Sequence, residues 1–134
     1  MTATSLRAMA EAARSNAYAP YSNFHVGAAL QTTAGEVYVG ANVENASFNV
    51  GTCAERSALS AAVTAGARNF DELVLVSDAA TPASPCGACR QALSEFAPLL
   101  RIVSHGLNGE TAQWSLAELL PHQFRLNESN GMNE

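Results

Sequence analysis

Apolar and polar residues alternate with two different periods along this chain, and each change of period marks an element. Near the start, Leu6, Met9, Ala10 and Ala13 recur at the spacing of one helix face and predict an amphipathic helix over 4–17. Pro20 breaks it, and "YAPYSNF" reads as a loop. Residues 24–33, "FHVGAALQTT", alternate in part with strand-compatible side chains, and 36–42, "EVYVGAN", alternate as their partner. With the turn signal Ala34-Gly35 between them they predict a β-hairpin. "VENASFNVG" follows as an irregular loop. The Ala-rich stretch 53–66, "CAERSALSAAVTAG", predicts a second helix, with Thr52 as its N-cap and Gly66 as its stop.

Residues 72–77, "ELVLVS", form a continuous apolar run, the mark of a strand buried on both faces. After the loop "DAATPASP", residues 86–96 read as a helix entered at Ser84 or Pro85 and ended by Pro98. A strand over 100–104, a turn at "HGLNGE", a short strand over 111–114 and a Ser115-capped helix over 115–120 complete the pattern. The order α-β-β-α-β-α-β-β-α predicts a three-layer α-β-α sandwich around a mixed five-stranded sheet. Residues 1–126 read as one domain. The tail 127–134, "NESNGMNE", reads as disordered.

Composition narrows the classes. At 134 residues with 48% hydrophobic content the chain can bury a real core. Only 14% of residues are charged and the net charge is −5, which disfavours a nucleic-acid polymer as partner. Small molecules and protein surfaces are the expected partners. No stretch approaches the roughly 20 apolar residues of a membrane helix, and the first helix lacks the apolar core of a signal peptide, so a cytoplasmic location is expected.

Cysteine usage carries the chemistry. The chain has three: Cys53, Cys86 and Cys89. An odd count in such a composition argues against a disulfide framework. "SPCGACRQ" holds a C-x-x-C pair, which fits a redox couple, half of a structural zinc site, or a catalytic metal site. A redox couple leaves Cys53 without a role. Cys53 opens one predicted helix and Cys86 the next, where the helix dipole and free N–H groups stabilise thiolates. Cys86 and Cys89, at i and i+3, share a helix face. Structural zinc takes four protein ligands, whereas catalytic zinc takes three and leaves a position for water. His25, His105 and His122 stand at no recognisable metal spacing.

Glu55 stands two residues after Cys53, off its helix face, which suits a general base acting on a zinc-activated water and not a fourth ligand. Taken alone, it would be a first-turn acid favoured by the dipole. Three thiolates on Zn²⁺ leave a charge of −1, and Arg56 or Arg90 can offset it by donating to sulfur. Otherwise each is a solvated arginine.

These residues carry a resemblance. "CAERSA" followed by "SPCGACRQ" resembles the zinc signature of the small cytidine deaminases, a class whose chemistry pairs thiolate-bound zinc with a glutamate proton shuttle. "AYAPYSNFHVGAAL", "GANVENASF" and "LLPHQF" are similar to further segments of that family, so the match covers most of residues 16–124. The resemblance implies one Zn²⁺ per chain on Cys53, Cys86 and Cys89, with Glu55 as proton shuttle. It implies that Phe24 packs on a nucleoside, that Asn42 and Glu44 hydrogen-bond ribose hydroxyls, and that the Ala54 backbone contacts the base. It gives Arg56 and Gln91 as partners of the thiolates. It implies a homotetramer with shared active sites, in which Phe124 reaches a neighbouring subunit.

Two departures stand out. "QFRLNE" replaces the Gly and Pro that often follow the Phe, and Phe48 stands where many relatives carry Tyr, which removes a hydroxyl. The expected activity is hydrolytic deamination of cytidine and 2′-deoxycytidine to the uridine forms, as in pyrimidine salvage. The rivals are a deaminase of another aminopyrimidine nucleoside such as blasticidin S, a non-catalytic zinc-stabilised interaction domain, and a thiol oxidoreductase. The intact "NVEN" favours a ribose over blasticidin S.

Overall fold

A computed structural model describes residues 3–126; the expected disorder of the tail lies outside them. Five strands form one mixed sheet in the order β2-β1-β3-β4-β5. They are β1 (Val26–Thr32), β2 (Val37–Ala41), β3 (Phe70–Ser77), β4 (Arg101–His105) and β5 (Thr111–Ser115). Only β3 and β4 pair in parallel; the other pairs are antiparallel. Parallel neighbours need a crossover, and the helix α3 (Gly87–Ser94) supplies it.

The predicted layers follow from alternation along the central strands. Ala29, Val74, Val76 and Val103 face Leu6 and Ala10 of helix α1 (Ala3–Arg14). Ala28, Leu30, Leu73, Leu75 and Ile102 face the opposite layer, made of α2 (Ala54–Thr64), α3 and the short α4 (Leu116–Leu119). Strand β3 is thus buried on both faces, as its unbroken apolar run requires. Each fully buried leucine in these two clusters contributes about 2 kcal/mol of transfer free energy.

Boundaries differ from the sequence reading where side chains compete for the backbone. Helix α1 stops at Arg14 instead of residue 17, because the Ser15 hydroxyl donates to the Ala12 carbonyl and the Asn16 amide to that of Ala13. Phe24 and His25 lie outside β1. Asn23, at φ 58°, turns the chain just before them. Thr52 is not the cap of α2. It exchanges backbone hydrogen bonds with Val43, and Cys53 occupies the N-cap. Gly66, at φ 101°, ends that helix region as expected, and Ser115 caps α4 in a full capping box with Glu118.

Asp78, just past β3, gathers three elements. It accepts from the Arg14 guanidinium at the end of α1 and from the His25 amide (2.9 Å), and its carboxylate lies 2.7 Å from His25 Nδ1.

Two glycines set how closely the helices approach. A Cβ on Gly27 would lie 1.9 Å from the Ala10 carbonyl oxygen of α1. A Cβ on Gly40 would lie 2.4 Å from the Ala58 nitrogen and 2.6 Å from the Ala54 oxygen of α2. Those neighbours are backbone, so they cannot rotate away. Gly40 therefore lets the first turns of α2, beside Cys53, rest directly on β2. Gly40→Ala should destabilise the fold by about 1–3 kcal/mol through overpacking. Gly87→Ala meets nothing within 4 Å and should be neutral or stabilising, since alanine favours the helix. Urea-unfolding midpoints compare the two; equal shifts of the same sign would refute this account of α2 docking.

Candidate metal centre and active site

Two helix starts meet beyond the sheet, and each is capped by a cysteine. Cys53 is the N-cap of α2 and Cys86 the N-cap of α3, both with extended backbone and no side-chain capping bond. The side chain at this position usually folds back onto the helix amides. Here the thiols are left to face each other. Cys89, three residues into α3, is fully buried beneath them. The three sulfurs lie within 4.8 Å of one another, and those of Cys53 and Cys86 are 3.9 Å apart. Zn–S bonds of about 2.3 Å at tetrahedral angles put sulfurs about 3.8 Å apart, so the residues fit zinc.

Protons report the same competition. The hydrogen bond from Cys89, aided by the nearby Arg56 guanidinium, holds the Cys53 pKa down at about 5 against the opposing effect of burial. Cys89, as donor in that pair, is pushed far up, and burial and the charge of Glu55 push the same way. A divalent cation bound there would displace the thiol protons.

Glu55 is 6% exposed on the first turn of α2. Burial, and after it the charge on Cys53, pushes its pKa up to about 7. It is not one of the metal-binding group, which among the described residues comprises the three cysteines alone. His25 is engaged by Asp78 and His105 Nδ1 lies 3.0 Å from the Thr111 hydroxyl, in keeping with histidines that ligate nothing. All three cysteines are free, so the C-x-x-C pair is not a disulfide here.

A hollow of about 210 Å³ opens beside the sulfurs, lined by Phe24, Asn42, Cys53, Ala54, Glu55 and Cys86. Val26, Leu75, Ala83 and Ser84 line it too, residues to which the sequence reading gave no site role. Ser84 had a signal in its place beside Cys86. Leu75 looks like any core residue of β3.

Other expected site residues sit differently. The Asn42 amide donates to the Phe24 carbonyl (2.8 Å) and accepts from the Val26 amide (2.9 Å), so it fixes the aromatic's backbone at the edge of the hollow. Glu44 lies outside that hollow. It lines an adjoining one of about 300 Å³ that shares Asn42 and Cys53 and includes Phe48 and Arg56. Its carboxylate accepts from the Tyr21 amide (3.0 Å), the Ser22 amide (3.1 Å) and the Ser22 hydroxyl, which hold its pKa low. Asn42 and Glu44 together pin the loop that carries Phe24.

Arg56 lies where a thiolate partner should, with Nη2 3.8 Å from Cys53 Sγ; its Nε is buried without a partner. Gln91 bonds elsewhere. Its amide donates to the Phe124 carbonyl (3.0 Å) and accepts from the Phe124 amide (3.3 Å), pairing with a backbone segment in place of sulfur. Arg90 also bonds to oxygen and not to thiolate. Phe124 itself is 67% exposed.

Comparison with known proteins agrees with this geometry. The family profile "Cytidine and deoxycytidylate deaminase zinc-binding region" matches residues 2–106. A curated cytidine deaminase of Sporosarcina psychrophila is 42% identical over 125 residues, 92% of each chain. The crystal structure of cytidine deaminase from Burkholderia pseudomallei superposes with a TM-score of 0.89 at 47% identity, over 92% of this chain and all of that one. A curated blasticidin-S deaminase of Bacillus cereus is 34% identical over 77% of this chain and 79% of its own. The profile spans both cysteine-capped helices and four of the five strands, β1 to β4, and the chain belongs to the cytidine and deoxycytidylate deaminase zinc-binding family.

Proposed function

We propose that this chain is a zinc-dependent hydrolytic deaminase that converts cytidine and 2′-deoxycytidine to uridine and 2′-deoxyuridine with release of ammonia. One observation carries the reading: a three-thiol cluster with zinc dimensions shares a hollow with a buried carboxyl poised near neutrality. The relatives named above as cytidine deaminases point to the substrate. Cys53, Cys86 and Cys89 would hold one zinc per chain. When bound, the metal supplies Lewis acidity, lowering the pKa of water towards about 7 and offsetting charge that develops on oxygen.

The chain's own residues do the rest. Glu55 accepts a proton from the attacking water and passes it to ring N3, then takes the proton of the new C4 hydroxyl and delivers it to the departing amine. Burial raises the Glu55 carboxyl above the usual carboxylate range, which favours a group that both takes and returns a proton. Water adds its oxygen at C4 and the C4–N bond breaks; one of its hydrogens stays on N3 and the other departs with ammonia. Phe24 supplies an aromatic wall to the base, with its backbone fixed by Asn42. The Ala54 backbone, at the first turn of α2, contacts the base, and Asn42 and Glu44 serve the ribose. Arg56 offsets the negative charge of the thiolates.

Glu55→Gln keeps the side chain's size and removes the proton acceptor. It should retain zinc while kcat falls by at least about 10²–10⁴. Metal analysis and the absorbance change of cytidine turnover test it together; loss of zinc would make Glu55 a ligand and overturn the proton-shuttle role. Blasticidin S is the competing substrate because one relative is named for it, and the same assay with that compound decides between them.

The proposal extends to assembly. The hollow, at about 210 Å³, is smaller than the roughly 300–1,000 Å³ of typical ligand pockets. Phe124 (67% exposed) and Phe48 (82%) present large apolar surface. A homotetramer of 1–126 domains, with Phe124 completing a neighbour's site, meets both needs. No helix among the described residues is long and apolar enough to cross a membrane, which accords with a cytoplasmic setting. Light scattering should give a mass near four chains; a fully active monomer would refute the shared site.

A further inference from the structure

Cys86 poses a problem of orientation. Unlike Cys89 it is exposed, so packing does not hold its thiol, and its side chain makes no capping bond. Something else must aim it at Cys53.

The hydrogen bonds of Arg90 meet that need. Its Nε donates to the Pro85 carbonyl (2.8 Å), Nη2 to the Ser84 hydroxyl (3.3 Å) and Nη1 to the Leu119 carbonyl at the end of α4 (2.9 Å). The Pro85 carbonyl and the Cys86 nitrogen belong to one planar peptide unit. Fixing that oxygen fixes the direction from which the chain enters Cys86. Pro85 is itself fully buried, which anchors the other side of the bond. The next residue, Gln91, fastens the Phe124 backbone in both directions, so helix α3 binds the C-terminal segment at two successive positions.

We infer that Arg90 is a positioning residue for the metal site: anchored on the Leu119 carbonyl, its guanidinium holds the Pro85–Cys86 peptide in the orientation that turns the Cys86 thiol toward Cys53 and Cys89. This rests on the zinc reading above. It gives the C-terminal segment a second role, as the fixed point against which a ligand is aimed. Lysine cannot replace the group, because a point charge on a flexible stem does not present a rigid fork to three acceptors.

The test uses the full-length protein. Arg90→Lys should weaken zinc binding by about 10–100-fold, read by competition with a chromophoric chelator. In cobalt(II)-substituted protein it should also shift the visible absorption bands, since the sulfur geometry relaxes. A merely structural role for Arg90 would lower the melting temperature and leave those bands in place. Wild-type chelator competition and unchanged cobalt bands in folded Arg90→Lys would overturn the inference. Should Arg90→Lys fail to fold, Ser84→Ala decides, because it removes only the Nη2 acceptor: a several-fold weaker grip on zinc supports the inference and an unchanged one overturns it. Wild-type protein that takes up neither zinc nor cobalt would overturn the zinc reading along with this one. A metal-tight Arg90→Lys overturns this inference alone.

Discussion

Three sulfurs come within 4.8 Å of one another only if two helices begin at the same place beyond a sheet. Cys53 and Cys86 are 33 residues apart, and ordering that much chain at one point costs conformational entropy. The cost is met by burial elsewhere. Strand β3, apolar on both faces, joins the α1 layer to the layer of α2, α3 and α4. The parallel pairing of β3 with β4 forces α3 to cross over, so that its N-terminus falls just after the loop leaving β3. Gly40 lets α2 lie against β2 closely enough for its own N-terminus to meet it.

The site's chemistry then follows from what is left unsatisfied. N-cap side chains normally close the helix amides, but these two cysteines do not, and their sulfurs face each other 3.9 Å apart instead. Glu55 is buried beside them, where its charged form is costly, and so its carboxyl lies near neutrality. The same burial that secures α2 to the sheet thereby sets the acid–base character of the hollow. Polar side chains around it also fix geometry: Asn42 and Glu44 hold the Phe24 loop, and Arg90 holds the peptide before Cys86.

The sequence made the layers and the three-thiol cluster legible because both are written in local pattern. The run "ELVLVS" reads as a strand covered on both sides, and Cys53 and Cys86 fall at predicted helix starts, with Cys89 one turn further in. The roles of Gln91 and Arg90 were not legible. Arg90 follows Cys89 in the chain, which suggested sulfur as its partner, and the family resemblance suggested the same for Gln91. Their partners, Phe124 and Leu119, lie about 30 residues further on, and only the folded path of the C-terminal segment brings them back. Thr52 misled for a similar reason: it has good capping chemistry, but the bridge to Val43 takes its backbone and leaves the cap to Cys53. Gly40 is silent in sequence, since nothing local shows that a helix backbone rests upon it.

X-ray absorption at the zinc edge of the purified protein would distinguish a zinc centre of three thiolates with one position left for the reaction from its alternatives. Three sulfur neighbours at about 2.3 Å and a single oxygen neighbour at about 2.0–2.2 Å are expected. Two sulfurs with a histidine nitrogen, or a closed shell of four protein ligands, would contradict it.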